Sequence, residues 1–233
     1  FRSMAHIAYG IRVIIDEDLT DNRYSFFPFL SDGLMYWNEE MGEHQWNIDD
    51  PENLGGELIA WAPDLNGNGI LDVCSENIDY YPDYFVGLTG HPTIGFDNSN
   101  NIFIIYDCFM ETLCLEYQNF RHVYGIAYSN LNEEWGGFID LTPDDSFAEC
   151  IFPSIAGKVD NKIFIIYHND FEPGLYSFEI EGTAITEVIY SEIDKTDFYD
   201  FQMNYEITFN VDLKPALYNG SLAFDVNNDT IYL

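Results

Sequence analysis

The sequence predicts an all-β protein, and two observations support that prediction. Phe and Tyr are unusually common, at 19 and 17 of 233 residues, and Ile and Val recur in short runs, a composition that favours strands over helices. A strand pattern also repeats along the chain. With 47% hydrophobic residues, the length suits one large β domain, or one domain and part of another.

The repeated pattern is a strand entered through a proline, then a polar turn and then a strongly apolar strand. Segment 91–94 leads into the strand 102–106, and 61 residues later segment 152–155 leads into the strand 163–167. Both later strands read Ile-Phe-Ile-Ile-Tyr. Such runs of β-branched and aromatic residues, bounded by Asn and Asp turns, predict strands.

Strand clusters that recur at this spacing are typical of β-propeller blades, each a four-stranded antiparallel sheet. An inner blade strand lies between two neighbouring blades, so both of its faces are apolar. A closed propeller needs about four to eight blades, whereas residues 1–190 supply only about three. We therefore expect an incomplete propeller that residues outside this sequence would complete. A β-sandwich is the alternative fold.

The remaining elements are weaker. A candidate strand at 11–15 precedes a faint echo of the repeat at 27–30, which continues through a turn at 31–33 into a strand at 34–37. Residues 191–204 are acidic and irregular, which predicts a linker.

The C-terminal segment 205–233 predicts the opening strands of a second, sandwich-like domain. Residues 205–213 alternate between apolar and polar side chains, and two further short strands follow at 224–225 and 229–233.

The most specific chemical motif is a loop-like insertion at 64–76. Its candidate calcium ligands are oxygen-bearing groups with the spacing of EF-hand and dockerin loops: Asp64, Asn66, Asn68, the backbone carbonyl of Ile70, Asp72 and Glu76. Gly69 occupies the sharp turn, but Ser75 stands where the bidentate Glu is expected and Glu76 comes one residue late. The alternative is an Asn-Gly turn held by its own side-chain hydrogen bonds.

The charge is strongly acidic. Only 8 Lys and Arg oppose 41 Asp and Glu, which gives a formal net charge of −33. A surface this negative disfavours nucleic acid and anionic membranes as partners and favours cations, Ca²⁺ first among them. The sequence contains no stretch of 18 apolar residues, so it predicts no membrane-spanning helix. The charge also keeps an aromatic-rich protein soluble.

The four cysteines are even in number and form no Cys-x-x-Cys pair, which argues against a zinc ribbon or a thioredoxin-type site. Cys108 and Cys114 flank a predicted hairpin tip, so we expect a disulfide between them and an oxidising compartment. Four unpaired thiols are the alternative.

Residues 128–135 occupy the place of a degenerate Asp-box, the hairpin turn of sialidase-like propellers. Ser129 and Trp135 match the box at its normal separation, while Asn130, Asn132 and Glu134 depart from it. The box indicates a fold and carries no catalytic meaning.

Glycosidase chemistry finds little support. A sialidase needs three arginines from separate blades to hold a carboxylate. The chain has four arginines, and three of them lie within the first 23 residues: Arg2, Arg12 and Arg23. The fourth is Arg121. The five histidines show no metal-ligand spacing, so we expect each to be structural.

Several segments together resemble large secreted β-propeller-containing proteins that carry a C-terminal sorting domain for the type IX secretion system. These segments are 119–125 (NFRHVYG), 140–142 (DLT), 148–154 (AECIFPS), 163–167 (IFIIY) and 170–175 (DFEPGL). The tail at 207–212 and 229–233 is similar to immunoglobulin-like or starch-binding-like modules. The resemblance implies a secreted or cell-surface protein and supplies no catalytic residues.

These observations lead to one functional expectation. We expect a non-catalytic, calcium-stabilised binding, adhesion or structural module that acts outside the cell on a protein or carbohydrate partner. The alternative is a carbohydrate-active enzyme of the sialidase-like glycoside hydrolase kind, or its carbohydrate-binding accessory region.

Overall fold

The protein is all-β, as the composition predicts. The computed structural model describes residues 4–15, 20, 25–26, 31–42, 55–72, 74, 86–115, 118–145, 147–174, 186–198, 223–225 and 230–232. Within these ranges the helical segments are two short 3-10 helices, Glu39–Met41 and Lys195–Phe198. None of the described helices is long and apolar enough to cross a membrane.

Sixteen strands make up the described fold. In chain order they are β1 (His6–Gly10), β2 (Ile14–Ile15), β3 (Ser25–Phe26), β4 (Leu34–Asn38), β5 (Glu57–Ala60), β6 (Thr89–Asp97), β7 (Ile102–Leu115), β8 (Gln118–Ser129), β9 (Glu134–Trp135), β10 (Ile139–Asp140), β11 (Glu149–Ile155), β12 (Lys158–Val159), β13 (Lys162–Asp170), β14 (Glu187–Asp194), β15 (Ala223–Asp225) and β16 (Thr230–Tyr232).

Three sheets contain most of these strands. The first sheet has the order β1-β4-β5, the second β10-β8-β7-β6-β12 with β9 added to β8, and the third β11-β13-β14. Strands β6, β7, β8 and β10 form an antiparallel meander, and β12 joins the edge of β6 in parallel. Two small hairpins, β2-β3 and β15-β16, are separate.

The second sheet lies between the other two and has a hydrophobic core on each face. Ile102, Ile104 and Tyr106 of β7 join one core together with Leu34 and Tyr36 of the first sheet. Because side chains alternate along a strand, the residues between them point the other way. Phe103 and Ile105 therefore belong to the opposite core.

That opposite core joins the second sheet to the third. Phe103 and Ile105 pack there with Ile163, Ile165 and Tyr167 of β13. Every residue from 102 to 110 is buried, because both faces of β7 are covered. The two-faced apolar run that the sequence shows is explained by this double packing.

The 61-residue repeat is present in the backbone as well as in the sequence. Strands β6 and β7 pair Thr93 with Ile105, and β11 and β13 pair Ser154 with Ile166, the same register shifted by one repeat. Each pair of strands also has a bulge at the same place. The two strands 102–106 and 163–167 are central strands of separate sheets.

The bulges have unusual backbone geometry. His91 and Phe152, the residues that precede the prolines of the repeat, have φ values of 47° and 52°. This left-handed region is uncommon for residues other than glycine, and a residue before proline is also kept out of the right-handed helical region. The same local conformation therefore changes the direction of the strand at the bulge in both repeats.

The Asp-box-like segment forms a hairpin, as expected. Tyr128 of β8 pairs with Trp135 of β9, and the Ser129 Oγ accepts a hydrogen bond from the Asn132 N–H at 3.3 Å. Glu133 adopts a φ of 57° in the turn. The Trp135 ring packs against the rings of Tyr36 and Tyr128.

The predicted linker at 191–204 is wrong in its first half. Residues 191–194 belong to β14, and residues 195–198 form a 3-10 helix whose Phe198 is buried. Glu192 and Asp194 of β14 point away from the core, because they alternate with the partly buried Ile189 and Ile193. Phe198 packs so closely on Gly125 that a Cβ there would lie 2.6 Å from its ring.

Other sequence expectations are met in part. The strand predicted at 34–37 is β4, while in place of a single strand at 11–15 only Ile14 and Ile15 are extended in β2. The short strands predicted near 224 and 230 form the β15-β16 hairpin. Segments 27–30, 199–204 and 205–213 lie outside the described residues, so the sandwich-like domain stays a prediction.

The repeat provides a matched pair for a stability test. Phe103→Ala should lower the free energy of unfolding by about 3–5 kcal/mol, because Phe103 is fully buried between two sheets. Phe164→Ala, the equivalent position in the third sheet, should cost about 1 kcal/mol, since its side chain is 37% exposed. Urea denaturation of both variants measures the difference. Equal losses would contradict the packing of the second sheet between the other two.

Candidate functional site

The candidate site lies where β7 and β8 extend past the repeated segment. Strand β7 continues beyond Tyr106 to Leu115, and β8 begins opposite it at Gln118. Two features are attached to this β7–β8 extension. One is the loop 64–74, and the other is a buried charged cluster around Asp107.

The first half of the loop is organised by Asp64. Its Oδ1 accepts hydrogen bonds from the N–H groups of Gly67 and Asn68, and its Oδ2 accepts one from Gly69 at 2.6 Å. Gly67 and Gly69 have φ values of 70° and 82°, which glycine adopts without strain. The two glycines therefore let the backbone curl around one carboxylate.

The second half of the loop converges on Asp72. The side-chain amides of Asn66 and Asn68 donate to the same Asp72 Oδ2 at 2.7 and 3.0 Å. Their amide oxygens accept backbone hydrogen bonds, Asn66 from the Asn68 N–H and Asn68 from the Ile70 N–H. All four predicted side-chain ligands thus lie in one small, exposed loop.

The structure shows the loop as a self-bonded Asn-Gly turn, the arrangement that the sequence left open as the alternative. Ile70 contributes its N–H to that network, and Glu76 lies outside the described residues. No three His, Cys, Asp or Glu side chains of the described part of the chain group together as metal ligands. The loop instead combines two carboxylates with two amides.

Two buried side chains of the β7–β8 extension hold the loop in place. Glu111, only 1% exposed, accepts the Asn66 N–H on Oε1 at 2.8 Å and the Asp72 N–H on Oε2 at 3.2 Å. Asn119, also buried, accepts the Cys74 N–H at 3.0 Å and donates to the Glu111 carbonyl at 3.0 Å. Both ends of the loop are thereby fixed to the second sheet.

A disulfide completes this attachment and corrects the predicted cysteine pairing. Cys114 is bonded to Cys74, with their Cα atoms 6.2 Å apart, and Cys108 is a buried free thiol. Cys108 and Cys114 both lie on β7, where six extended residues span about 20 Å. The predicted Cys108–Cys114 bond is therefore wrong for a geometric reason.

Burial keeps the remaining thiols unreactive. It raises the pKa of Cys108 well above its ordinary value and that of Cys150 to about 12. Both are therefore protonated at neutral pH and are poor nucleophiles.

Replacing Cys74 and Cys114 together by Ala should lower the free energy of unfolding by about 2–5 kcal/mol, because the bond closes a loop of 40 residues. Dithiothreitol should destabilise the wild-type chain by a similar amount and leave the double variant unchanged. Cys108→Ala is the control, since it should keep the sensitivity to reductant. A non-reducing peptide map that links Cys108 to Cys114 would refute the pairing.

The buried charged cluster centres on Asp107, which has no solvent exposure. Its Oδ1 accepts a hydrogen bond from Arg121 Nε at 2.9 Å, and its Oδ2 accepts one from the Phe152 N–H and lies 2.6 Å from His91 Nδ1. Arg121 is 1% exposed and donates further to the carbonyls of Gly87 and Leu88. The guanidinium is thus paired on all sides.

Electrostatics explain why Asp107 stays ionised. Burial alone would raise the pKa of this carboxyl, but the Arg121 guanidinium and the His91 hydrogen bond outweigh it and hold the pKa below its ordinary value. The carboxylate of Glu149, which is fully buried nearby, accepts a hydrogen bond from the backbone N–H of Arg121 at 2.6 Å. The cluster combines two carboxylates with one guanidinium and one imidazole.

A cleft of about 270 Å³ lies beside His91, between β1 and the segment before β6, and Arg12 also lines it. The His91 side chain is 23% exposed, whereas Asp107 behind it is fully engaged. Glycoside hydrolysis needs two carboxyl groups that both face the substrate, and Asp107 does not meet that requirement. Arg121 is committed to Asp107, while Arg2 and Arg23 lie outside the described residues.

Asp32 is the one described carboxyl with a strongly raised pKa. Desolvation raises its pKa to about 7, although hydrogen bonds from the Ala62 and Gly33 N–H groups and the charge of Arg121 oppose the shift. Since the folded pKa exceeds the ordinary 3.8, the folded state binds more protons than the unfolded chain between about pH 4 and 7. The stability that Asp32 contributes must therefore fall as the pH rises through this window.

Asp32→Asn removes this dependence, because an amide accepts the same N–H groups and stays neutral. The variant should gain stability relative to wild type as the pH rises from about 5 to about 7. Urea denaturation across that range, above the isoelectric point of 4.1, measures the trend. The exposed Asp144→Asn should show no such trend, and parallel curves for Asp32→Asn and wild type would contradict the assignment.

Comparison with known proteins adds no relative: no family model, curated protein or solved structure matches this chain. The site therefore rests on its own geometry. Sequence reasoning located the loop but missed Glu111, Asn119, Asp107 and Arg121. Glu111 and Asn119 stand 45 residues from Asn66 and Cys74, the residues whose N–H groups they accept, so no local spacing marked them.

Proposed function

We propose that this chain is a non-catalytic extracellular binding or structural module in which Ca²⁺ stabilises the loop 64–72. The observation that carries the proposal is the attachment of this loop to the β7–β8 extension. Glu111 binds the loop at two points, and the Cys74–Cys114 disulfide closes it. A loop that is fixed at both ends loses little entropy when its oxygens gather around an ion.

The chemistry of the loop suits a hard cation. The Asp64 carboxylate is held by three N–H groups, and the Asn66 and Asn68 side chains already meet at Asp72. An amide oxygen has two lone pairs, so it can accept a backbone N–H and still ligate a cation. Asp64, Asn66, Asn68 and Asp72 would hold the ion, with the Ile70 carbonyl and Glu76 as further candidates.

The ion would have a structural role. Asp64 and Asp72 bring two negative charges into one small loop of a chain whose net charge is −33. Carboxylates that converge repel one another, and a bound cation removes that repulsion. Two carboxylates and two amides form a weakly charged site, which suits the high calcium concentration outside cells.

The extracellular setting is supported by the disulfide, since such bonds persist in oxidising compartments. We further propose that the three sheets are successive blades of a β-propeller. The identical register and bulge of β6-β7 and β11-β13 support this, as does the packing of the second sheet between two others. Both features agree with the resemblance to secreted propeller-containing proteins.

Thermal unfolding in calcium and in excess chelator tests the site. At a free calcium concentration about tenfold above the Kd, bound ion should stabilise the chain by about 1.4 kcal/mol. For a chain of this length that corresponds to a rise in Tm of about 3–5 °C. Mg²⁺ should give a smaller rise, because it dehydrates reluctantly and demands a tighter octahedral site.

Variants separate calcium binding from the hydrogen bonds of the turn. Asp64→Ala should abolish the difference in Tm between calcium and chelator, even though it also weakens the turn in both conditions. Asp144→Ala removes the same charge from an exposed position elsewhere and should keep the difference. A wild-type Tm that is equal in calcium and chelator would leave the self-bonded turn as the full account of the loop.

A further inference from the structure

The segment around the C-terminal hairpin carries a third copy of the repeated sequence. Without gaps, segments 93–105, 154–166 and 221–233 read TIGFDNSNNIFII, SIAGKVDNKIFII and SLAFDVNNDTIYL. Six residues of the third copy are identical to one or both of the others: Ser221, Ala223, Phe224, Asp225, Val226 and Asn228. The copies begin at residues 93, 154 and 221, which is nearly a constant spacing. Self-similarity at such a spacing indicates a repeated structural unit.

The third copy has strands at the same positions as the first. Strand β6 ends at Asp97 and β7 begins at Ile102, and at the equivalent positions β15 ends at Asp225 and β16 begins at Thr230. The pairing is one residue tighter, since Asp225 lies opposite Thr230 whereas Phe96 lies opposite Ile102. The third copy therefore folds into the same two antiparallel strands.

The outer side of the third sheet exposes positions that are buried in the second sheet. Phe103 and Ile105 of β7 are fully buried where the third sheet packs on them. Their equivalents one repeat later, Phe164 and Ile166 of β13, are 37% and 47% exposed. The third sheet therefore repeats the surface on which the second sheet receives its neighbour.

Strand β14 enlarges this surface. Val188 and Tyr190 are 65% and 58% exposed, and Tyr190 lies opposite Ile166 in the sheet. The rings of Phe164 and Tyr190 are stacked, with centroids 6.2 Å apart. We call the four residues Phe164, Ile166, Val188 and Tyr190 the outer face. Stacked repeats normally end in a polar surface, so an apolar outer face indicates that a further unit covers it.

The position of Gly95 in the repeat is small in all three copies. A Cβ on Gly95 would lie 2.9 Å from the Ala156 carbonyl oxygen and 2.9 Å from the Ile155 side chain, so the third sheet approaches the second most closely there. Ala156 is the equivalent residue of the third sheet and is exposed, and Ala223 is the equivalent in the third copy. The third sheet thus keeps the small residue at which a neighbouring sheet can approach.

The third copy also keeps the apolar positions through which a sheet packs on the one before it. In the second copy, Ile155, Val159 and Ile165 belong to the core that joins the third sheet to the second. The equivalent residues of the third copy are apolar as well: Leu222, Val226 and Tyr232. The sequence of the hairpin therefore suits the same kind of contact.

We propose that the β15–β16 hairpin begins a fourth sheet, which packs on the outer face of the third sheet as the third packs on the second. This inference rests on the proposed arrangement of the sheets as successive blades and replaces the sandwich-like domain that alternation predicts. Each unit of a repeat protein contacts its neighbours along the chain, so the next copy is the expected occupant. Residues 199–220 can extend over about 70 Å, far more than the spacing of about 10 Å between packed sheets.

Hydroxyl-radical footprinting of the whole chain tests the proposal, because it measures how exposed each side chain is to solvent. In the wild type, Phe164 and Tyr190 should be oxidised slowly, as the buried Phe103 is, once the intrinsic reactivity of each residue type is corrected for. Leu222→Glu places a charge at the proposed contact, so it should raise oxidation of Phe164 and Tyr190 several-fold and leave Phe103 unchanged. Leu222→Ile restores the residue of the other two copies and should keep the wild-type pattern.

The contrary outcomes are distinct. Fast oxidation of Phe164 and Tyr190 in the wild type, with Phe103 slow, would overturn the fourth sheet and leave the stack of three sheets intact. Fast oxidation of all three would overturn the blade arrangement as well. Protection that persists in both Leu222→Glu and Tyr232→Asp would overturn the proposal too, since another surface would then cover the outer face. The pattern should be the same in calcium and in chelator, which separates this test from that of the calcium loop.

Discussion

The ion pair between Asp107 and Arg121 connects all three sheets. Arg121 of β8 reaches Asp107 of β7 and also the carbonyls of Gly87 and Leu88. The Leu88 N–H in turn donates to the Ser31 carbonyl, just before the first sheet's β4. On the other side, Asp107 accepts the Phe152 N–H of β11 in the third sheet.

A buried ion pair of this kind contributes through its geometry more than through its energy. Taking both charges out of water costs several kcal/mol, and their attraction offsets that cost only when the remaining hydrogen bonds are made. Here Asp107 receives hydrogen bonds on both oxygens, and Arg121 donates to main-chain carbonyls as well. The pair therefore fixes how the sheets are placed relative to one another. Without the Phe152 N–H of the third sheet, Asp107 would lose one of its hydrogen bonds.

The sequence revealed the periodic features of the fold and missed its long-range ones. The repeated strands, the Asp-box-like hairpin and the position of the Asn-Gly loop could be predicted, because each is encoded within about a dozen consecutive residues. The Cys74–Cys114 bond could not be predicted, because it depends on how the fold brings Cys74 next to β7, 40 residues away in sequence. Glu111 was one acidic residue among 41, and only its burial distinguishes it.

The error at 191–204 has a similar cause. Acidic residues on an exposed sheet face look like a linker when the partner strand is unknown, and here β13 pairs along the whole of β14. Phe198 gave no signal either, because a single aromatic residue after an acidic run has no period. Its buried position depends on Gly125 in a strand far earlier in the chain.

The two bulges show that one backbone shape has been combined with two different chemistries. His91 Nδ1 and Asp107 Oδ2 are hydrogen-bonded at 2.6 Å in the first copy of the motif. The equivalent residues of the second copy are Phe152 and His168, whose rings meet edge to face at 5.7 Å. Both copies of the motif thus share the left-handed turn and the register, while the contact across the turn is a polar hydrogen bond in one and an aromatic contact in the other. The fold therefore requires the shape of the turn and tolerates either contact across it.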